Sequence, residues 1–200
     1  MPLKTKPRKR RLKVAVTLLS GLLPVMLGSV ILYMQAGRAL EQNAQETAEE
    51  AIRQFELMLD NTAQAARELL PMAGQSCLDV NLALREQVTR RPFVRSTNLM
   101  WADTIYCSSL FGDYHEIISS GDYAGGRLFL MKGNPVTPDT ALLVYRLEDG
   151  KRGALATLDG YHLSNVLRLI GRHTSLILQV GSHWLTADGR VRDEPLPDFP

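Results

Sequence analysis

The chain has 200 residues, 45% of them hydrophobic and 22% charged, with a formal net charge of +2. That is enough apolar chain for one domain with a real core, which excludes a disordered or low-complexity protein. The charge is unevenly placed. Seven of the 23 Lys and Arg lie in the first 13 residues, and the other 16 meet 21 Asp and Glu, so the remainder carries −5 and offers no basic surface for nucleic acid or phosphate.

Those seven residues (Lys4, Lys6, Arg8, Lys9, Arg10, Arg11 and Lys13) abut Val14 to Met34, 21 positions without a charge. At about 1.5 Å per residue this stretch is roughly 30 Å long as a helix, the thickness of a bilayer's hydrocarbon core. It predicts a transmembrane helix with the lipid bilayer as partner. Thr17, Ser20 and Ser29 are expected to return their hydroxyls to helix carbonyls, and Pro24 is tolerated as a local defect. Positive flanks stay cytoplasmic, so the amino end is expected inside and the bulk outside, in the periplasm of a bacterial inner-membrane protein. The apolar run is too long for a signal peptide, and Gly37-Arg38-Ala39 is a poor cleavage site.

From Gly37 to about Leu70 one helical pattern continues. Ala44, Ala48, Ala51, Phe55, Met58, Thr62, Ala65 and Leu69 recur three or four apart. This narrow stripe is expected to dock on its own domain, with a homodimer seam as the alternative. Pro71 ends the helix. Ser76 to Asp79 reads as a capping box opening a second helix to about Arg90, with Cys77, Val80, Leu84 and Val88 on one face. Pro92 stops it.

Strands follow. A run from about Ser96 to Ser109 places Trp101, Ile105 and Cys107 on one face. A short strand is expected at His115–Ser119 within the glycine-broken Gly112–Gly126, and another at Arg127–Lys132. Gly133 to Pro138 is a loop. Ala141–Leu147 alternates, with Leu143, Tyr145 and Leu147 on one face. Asp149-Gly150 is a hairpin turn, and Gly153–Leu158 the return strand. Asp159 caps a helix that buries Leu163, Val166, Leu167 and Ile170 and ends at Gly171. Thr174–Val180 and His183–Ala187 are further strands, and Asp188-Gly189 is a second turn. The expected division is 1–13 basic tail, 14–34 transmembrane helix, 35–70 long helix, 71–190 sensor domain and 191–200 proline-rich tail. The fold class is α+β, an antiparallel sheet flanked by helices, with a PAS-like or Cache-like outline by analogy.

No catalytic constellation is present. His115, His162, His173 and His183 are not at metal-ligand spacings, so no metal or other cofactor is expected. Asp103 and Asp113 have no visible partner for acid–base work. Tyr106, Tyr114, Tyr123 and Arg127 are candidate pocket residues, with ordinary packing as the alternative. The two cysteines, Cys77 and Cys107, read as a disulfide in an exported domain or as two small buried hydrophobes. A bridge would close a loop of about 30 residues, worth roughly 3–4 kcal/mol in the chain-entropy model.

The segment Arg91 to Gly112, RPFVRSTNLMWADTIYCSSLFG, together with Cys77, resembles the CSS-motif periplasmic domain of membrane-bound EAL-type cyclic-di-GMP phosphodiesterases. The resemblance implies a cytoplasmic amino end, a first span, a periplasmic domain, a second span and a cytoplasmic EAL domain. It implies that Cys77 and Cys107 form a disulfide whose redox state, set by the periplasmic thiol-oxidation machinery, governs output. Cys107, Ser108 and Ser109 are the motif. This sequence contains no second apolar span and no Glu-Ala-Leu signature, so the expectation is the sensory part of a longer protein, with a shortened sensor as the alternative. A membrane-anchored assembly protein with a purely structural disulfide, or an exported enzyme, are the rival functions.

Overall fold

A computed structural model describes residues 6–172 and 174–196, with side chains described from residue 20 onward and at Lys13 and Thr17. Residues 1–5 of the basic tail, His173 and the end of the proline-rich tail lie outside the described residues. Helix α1 runs Lys6–Leu69, and within it the chain divides into two units, residues 1–46 and 47–200.

The first unit is the apolar part of α1. It is long and apolar enough to cross a membrane. Its large side chains from Leu22 to Met34 are exposed, as a span facing lipid requires. Thr17 Oγ1 donates to the Lys13 carbonyl at 2.9 Å and Ser20 Oγ to the Thr17 carbonyl at 3.0 Å, so these hydroxyls are satisfied inside the helix. Pro24 sits within the helix.

In the second unit the end of α1 passes through a 3-10 turn, Leu70–Met72, to α2, Cys77–Arg90. Six strands follow: β1 Val94–Trp101, β2 Thr104–Ser108, β3 Gly112–Ile117, β4 Leu128–Met131, β5 Leu142–Asp149 and β6 Arg152–Asp159. They form one sheet in the order β3-β2-β1-β6-β5-β4, every neighbour antiparallel. Helix α3, Gly160–Ile170, leads to a small second sheet of β7 Leu178–Val180, β8 His183–Leu185 and β9 Val191–Arg192. The α+β reading holds.

The helices cover one face of the large sheet. Ala65, Ala66 and Leu69 of α1 pack with Leu84 of α2 and with Ala154 and Ala156 of β6. Small residues on both sides let helix and sheet approach closely. Farther along, Ala51 and Met58 pack with Leu143, Leu158, Leu163 and Leu167. From Ala51 onward the stripe on α1 is therefore docked on its own domain. The other face carries a smaller cluster of Met100, Ile105, Tyr123, Val144 and Leu155.

Six local expectations are corrected. Ser76 precedes α2, but its side chain makes no capping hydrogen bond. The start of α2 is held instead by the bridge from Cys77 and by the Gly74 amide donating to the Tyr106 hydroxyl. The run from Ser96 to Ser109 is two strands. Ala102 takes φ +50° and, with Asp103, turns the chain between Trp101 and Thr104, a hairpin without the glycine or asparagine that usually marks one. Trp101, Ile105 and Cys107 do not share a face: register shifts between Leu99 and Met100 and between Ile105 and Cys107 put Ile105 on the open face and Cys107 under the helices. The third strand lies at Gly112–Ile117 rather than His115–Ser119, β7 is only Leu178–Val180, and β9 forms where a patternless tail was expected. Its Arg192 stacks over the Trp184 ring at 5.0 Å and pairs with Asp188. Those are tertiary contacts that leave no local period.

Candidate functional site

Cys77 and Cys107 are bonded, with their Cα atoms 5.2 Å apart and a separation of 30 positions in sequence. Cys77 lies in the first turn of α2 and is half-buried, whereas Cys107 in β2 is 0% exposed. The bridge therefore fastens the start of a helix to a strand near the sheet's edge. A shallow cleft of about 330 Å³ beside it is lined by Gly74, Gln75, Ser76, Trp101 and Tyr106. Gly74 takes φ +98°, and a Cβ there would stand 2.9 Å from the Trp101 ring, so only glycine fits under that indole. Burial raises the pKa of Tyr106, keeping its hydroxyl protonated where it accepts the Gly74 amide hydrogen.

The two serines after Cys107 extend the same fastening. The Ser108 carbonyl accepts from Asn81 Nδ2 of α2 at 3.1 Å, and Ser108 Oγ accepts the Leu110 amide hydrogen at 3.2 Å. Ser109 Oγ accepts the Thr97 amide hydrogen at 3.0 Å, while the Ser109 amide donates to the Thr97 carbonyl at 2.9 Å. Thr97 Oγ1 in turn donates to the Leu84 carbonyl of α2 at 2.9 Å. Three consecutive residues thus tie α2 to the sheet by a covalent bond, a side chain–backbone hydrogen bond and a relay through Thr97.

The upstream string, Arg91 to Ser96, makes the remaining ties. Arg91 forms an ion pair with Glu68 of α1, and Gln87 of α2 donates to the same carboxylate at 2.8 Å. Phe93 takes φ +71° and meets His162 of α3 edge-on at 5.3 Å. Arg95 pairs with Asp159, which also caps α3 by accepting the Tyr161 amide hydrogen at 2.9 Å, and Arg95 Nη2 donates to Thr137 Oγ1 at 3.3 Å. All three helices are joined to this segment.

The opposite face of the sheet carries a cavity of about 560 Å³. Tyr114 and Tyr123 line it, as expected; Tyr106 lies on the helix face instead, and Arg127 is not among its lining residues. Burial pushes the Tyr123 hydroxyl up to about 12. The neighbouring Arg146 is buried, pairs with Glu148 and with Asp103 at 3.4 Å, and stacks over Tyr123 at 5.2 Å. Ser96, Asn98, Ser108 and Thr157 project polar side chains into the same cavity. The sequence reading missed Ser96, Asn98 and Thr157, although the period-two spacing of Ser96 and Asn98 in β1 was a usable signal. Asp113 lies 3.6 Å from His115 at the surface, and among the described residues no group of His, Cys, Asp or Glu is placed to hold a metal ion.

The CSS motif domain associated with EAL matches residues 40–198. A probable cyclic di-GMP phosphodiesterase of Escherichia coli K12, PdeD, is 33% identical over 72 residues, 36% of this chain and 14% of that protein. The matched stretch is thus a small part of the relative's length.

Proposed function

Because the chain belongs to the family of CSS-motif domains associated with EAL, we propose that it is the periplasmic, redox-responsive sensory region of an inner-membrane cyclic-di-GMP signalling protein. Its output is an EAL phosphodiesterase domain carried outside this chain. The basic residues before the span support this orientation: the positive-inside rule favours a cytoplasmic amino end, with residues 47–200 in the periplasm.

The observation that carries this reading is the position of the Cys77–Cys107 bridge between α2 and β2. An incoming thiolate from a periplasmic dithiol attacks Sγ of Cys77, the less buried of the two residues. Cys107 leaves as a thiolate and takes a proton. The second thiol of the reductant then displaces Cys77, which is protonated, and the reductant departs as a disulfide. Two electrons move from reductant to bridge. The lost constraint, worth roughly 3–4 kcal/mol, is enough to shift a balanced two-state equilibrium by more than a hundredfold. Glu68, paired with Arg91 at the end of α2, lies on the helix whose sequence continues into the apolar span.

The test is cyclic-di-GMP hydrolysis by the longer protein that carries this segment, compared with its Cys77→Ser/Cys107→Ser form at equal protein level. A changed rate is expected, and an unchanged rate sinks the reading. A purely structural bridge in a membrane-anchored assembly protein is the second reading, favoured by the complete burial of Cys107. It predicts a bridge that resists periplasmic dithiols in the folded protein, measured as the linked peptide pair by non-reducing mass analysis.

A further inference from the structure

The centre of the open sheet face is unusually polar for a buried surface. Ser96 of β1 stands opposite Thr157 of β6, and Asn98 of β1 stands opposite Ser108 of β2. Ser96, Ser108 and Thr157 are each at most 4% exposed. Apart from the Leu110 amide on Ser108 Oγ, their side chains and that of Asn98 make no hydrogen bond among the described residues. Yet among the described residues no buried polar side-chain atom is both unbonded and sealed off. These groups therefore open into the cavity of about 560 Å³, a size that accommodates a small organic ligand. Packing alone does not account for them. A valine or alanine at these sites satisfies the sheet without the cost of stripping water from a hydroxyl.

We infer that this cavity is a binding site for a small uncharged organic molecule with an apolar body and at least two hydrogen-bonding groups, of the amide or alcohol class. Around the two polar pairs, Ile105, Phe129, Leu142, Val144 and Leu155 form an apolar wall for the body. The charge of the ligand follows from what lies inside. The charged lining residues, Glu116, Asp122 and Lys132, are all exposed, and Lys132 is already paired with Asp193 at 3.0 Å. The buried Arg146 nearby is occupied by Glu148 and Asp103. Among the described residues no unpaired charge is buried inside, so an ionic ligand seated there loses its hydration without compensation. Ser108 lines the cavity while its neighbour Cys107 holds the bridge on the other face, which gives an occupant a direct route to the α2 fastening. The site stands independently of the redox reading, because it is defined with the bridge intact.

The experiment uses the whole chain in lipid nanodiscs, oxidised, with benzamide and its charged isostere benzoate as probes in saturation-transfer NMR against empty nanodiscs. Saturable benzamide binding is expected, with benzoate binding absent. The Ser96→Ala/Thr157→Val form is expected to weaken benzamide about fivefold or more. The same form is expected to melt at or above the parent temperature, followed by Trp101 and Trp184 fluorescence. Four results overturn the proposal: no saturable benzamide signal, as for a cavity that holds only water; equal binding of both probes; equal binding of benzamide by both proteins; or a variant that melts several degrees lower, which makes the hydroxyls part of the fold. None of these outcomes depends on the state of Cys77 and Cys107, so they leave the hydrolysis test of the sensory reading separate.

Discussion

Ser109 and Thr97 exchange two hydrogen bonds: the Thr97 amide donates to the Ser109 hydroxyl, and the Ser109 amide donates to the Thr97 carbonyl. Thr97 is 0% exposed, so its amide has no water to turn to if the hydroxyl is removed. Ser109→Ala is expected to cost about 1–3 kcal/mol, the penalty for a buried unsatisfied donor. Ser108→Ala is expected to cost less, because among the described residues the Ser108 hydroxyl accepts only the Leu110 amide. Urea unfolding followed by fluorescence checks both, since the chain's two tryptophans, Trp101 and Trp184, both belong to residues 47–200.

Removing the bridge is expected to lower the stability of the same unit by roughly 3–4 kcal/mol. Cys77→Ser, Cys107→Ser and the double substitution are expected to cost nearly the same amount, because any one of them abolishes the single constraint. The parent protein in excess dithiol reductant is expected to match them. A loss below about 1 kcal/mol in all four measurements means that α2 stays seated through its hydrogen bonds alone.

Asp159 does two jobs, capping α3 and pairing with Arg95, and the two are separable. Asp159→Ala loses both and is expected to cost about 1–3 kcal/mol; Asp159→Asn keeps an acceptor for the Tyr161 amide and is expected to cost less. The Arg95 and Asp159 side chains are 24% and 23% exposed, so their coupling is expected to exceed that of an open surface pair, at about 1 kcal/mol or more. A double-mutant cycle with Arg95→Met measures it, and additive costs refute it.

Tyr123 ties stability to alkaline pH. Its hydroxyl is pushed up to about 12 by burial, against an ordinary value near 10. Below pH 10 the phenol is neutral in both folded and unfolded chains, and its contribution is fully present. Between pH 10 and 12 the unfolded chain releases the proton while the folded one holds it, so stability falls by up to about 3 kcal/mol. Tyr123→Phe is expected to remove that part of the decline. Identical urea midpoints against pH for the two proteins above pH 10 refute the assignment.

Much of the local structure is legible in the sequence. The unbroken apolar run with basic residues before it marks a helix long enough for a membrane. Asp149-Gly150 marks the β5–β6 hairpin because the two-residue loop, Gly150-Lys151, needs a residue that tolerates positive φ at its first position, as in a type II′ turn, and Gly150 sits there at φ +62°. Asp159 and Gly171 bracket α3 because a helix end needs an acceptor for its first amides and a stop for its last. Ala102-Asp103 carries no such signal, and the β1–β2 turn was missed for that reason.

Read alone, the residues thus establish the apolar helix, the α+β class and a pair of cysteines with a recognisable string around the second. Which face each residue serves depends on how the distant strands pair. Cys107 and Ile105 are separated by one residue, and strict alternation puts them on the same side. A register shift, set by how β2 pairs with β1 and β3, sends Cys107 to α2 and Ile105 to the cavity. The same holds for Ser96 opposite Thr157 and for Arg95 with Asp159, partners about 60 residues apart that meet only because β1 pairs with β6. Local periodicity records the conformation of a segment; it holds no record of which distant strand becomes its neighbour, and that neighbour decides whether a buried serine is a packing fault or the floor of a binding site.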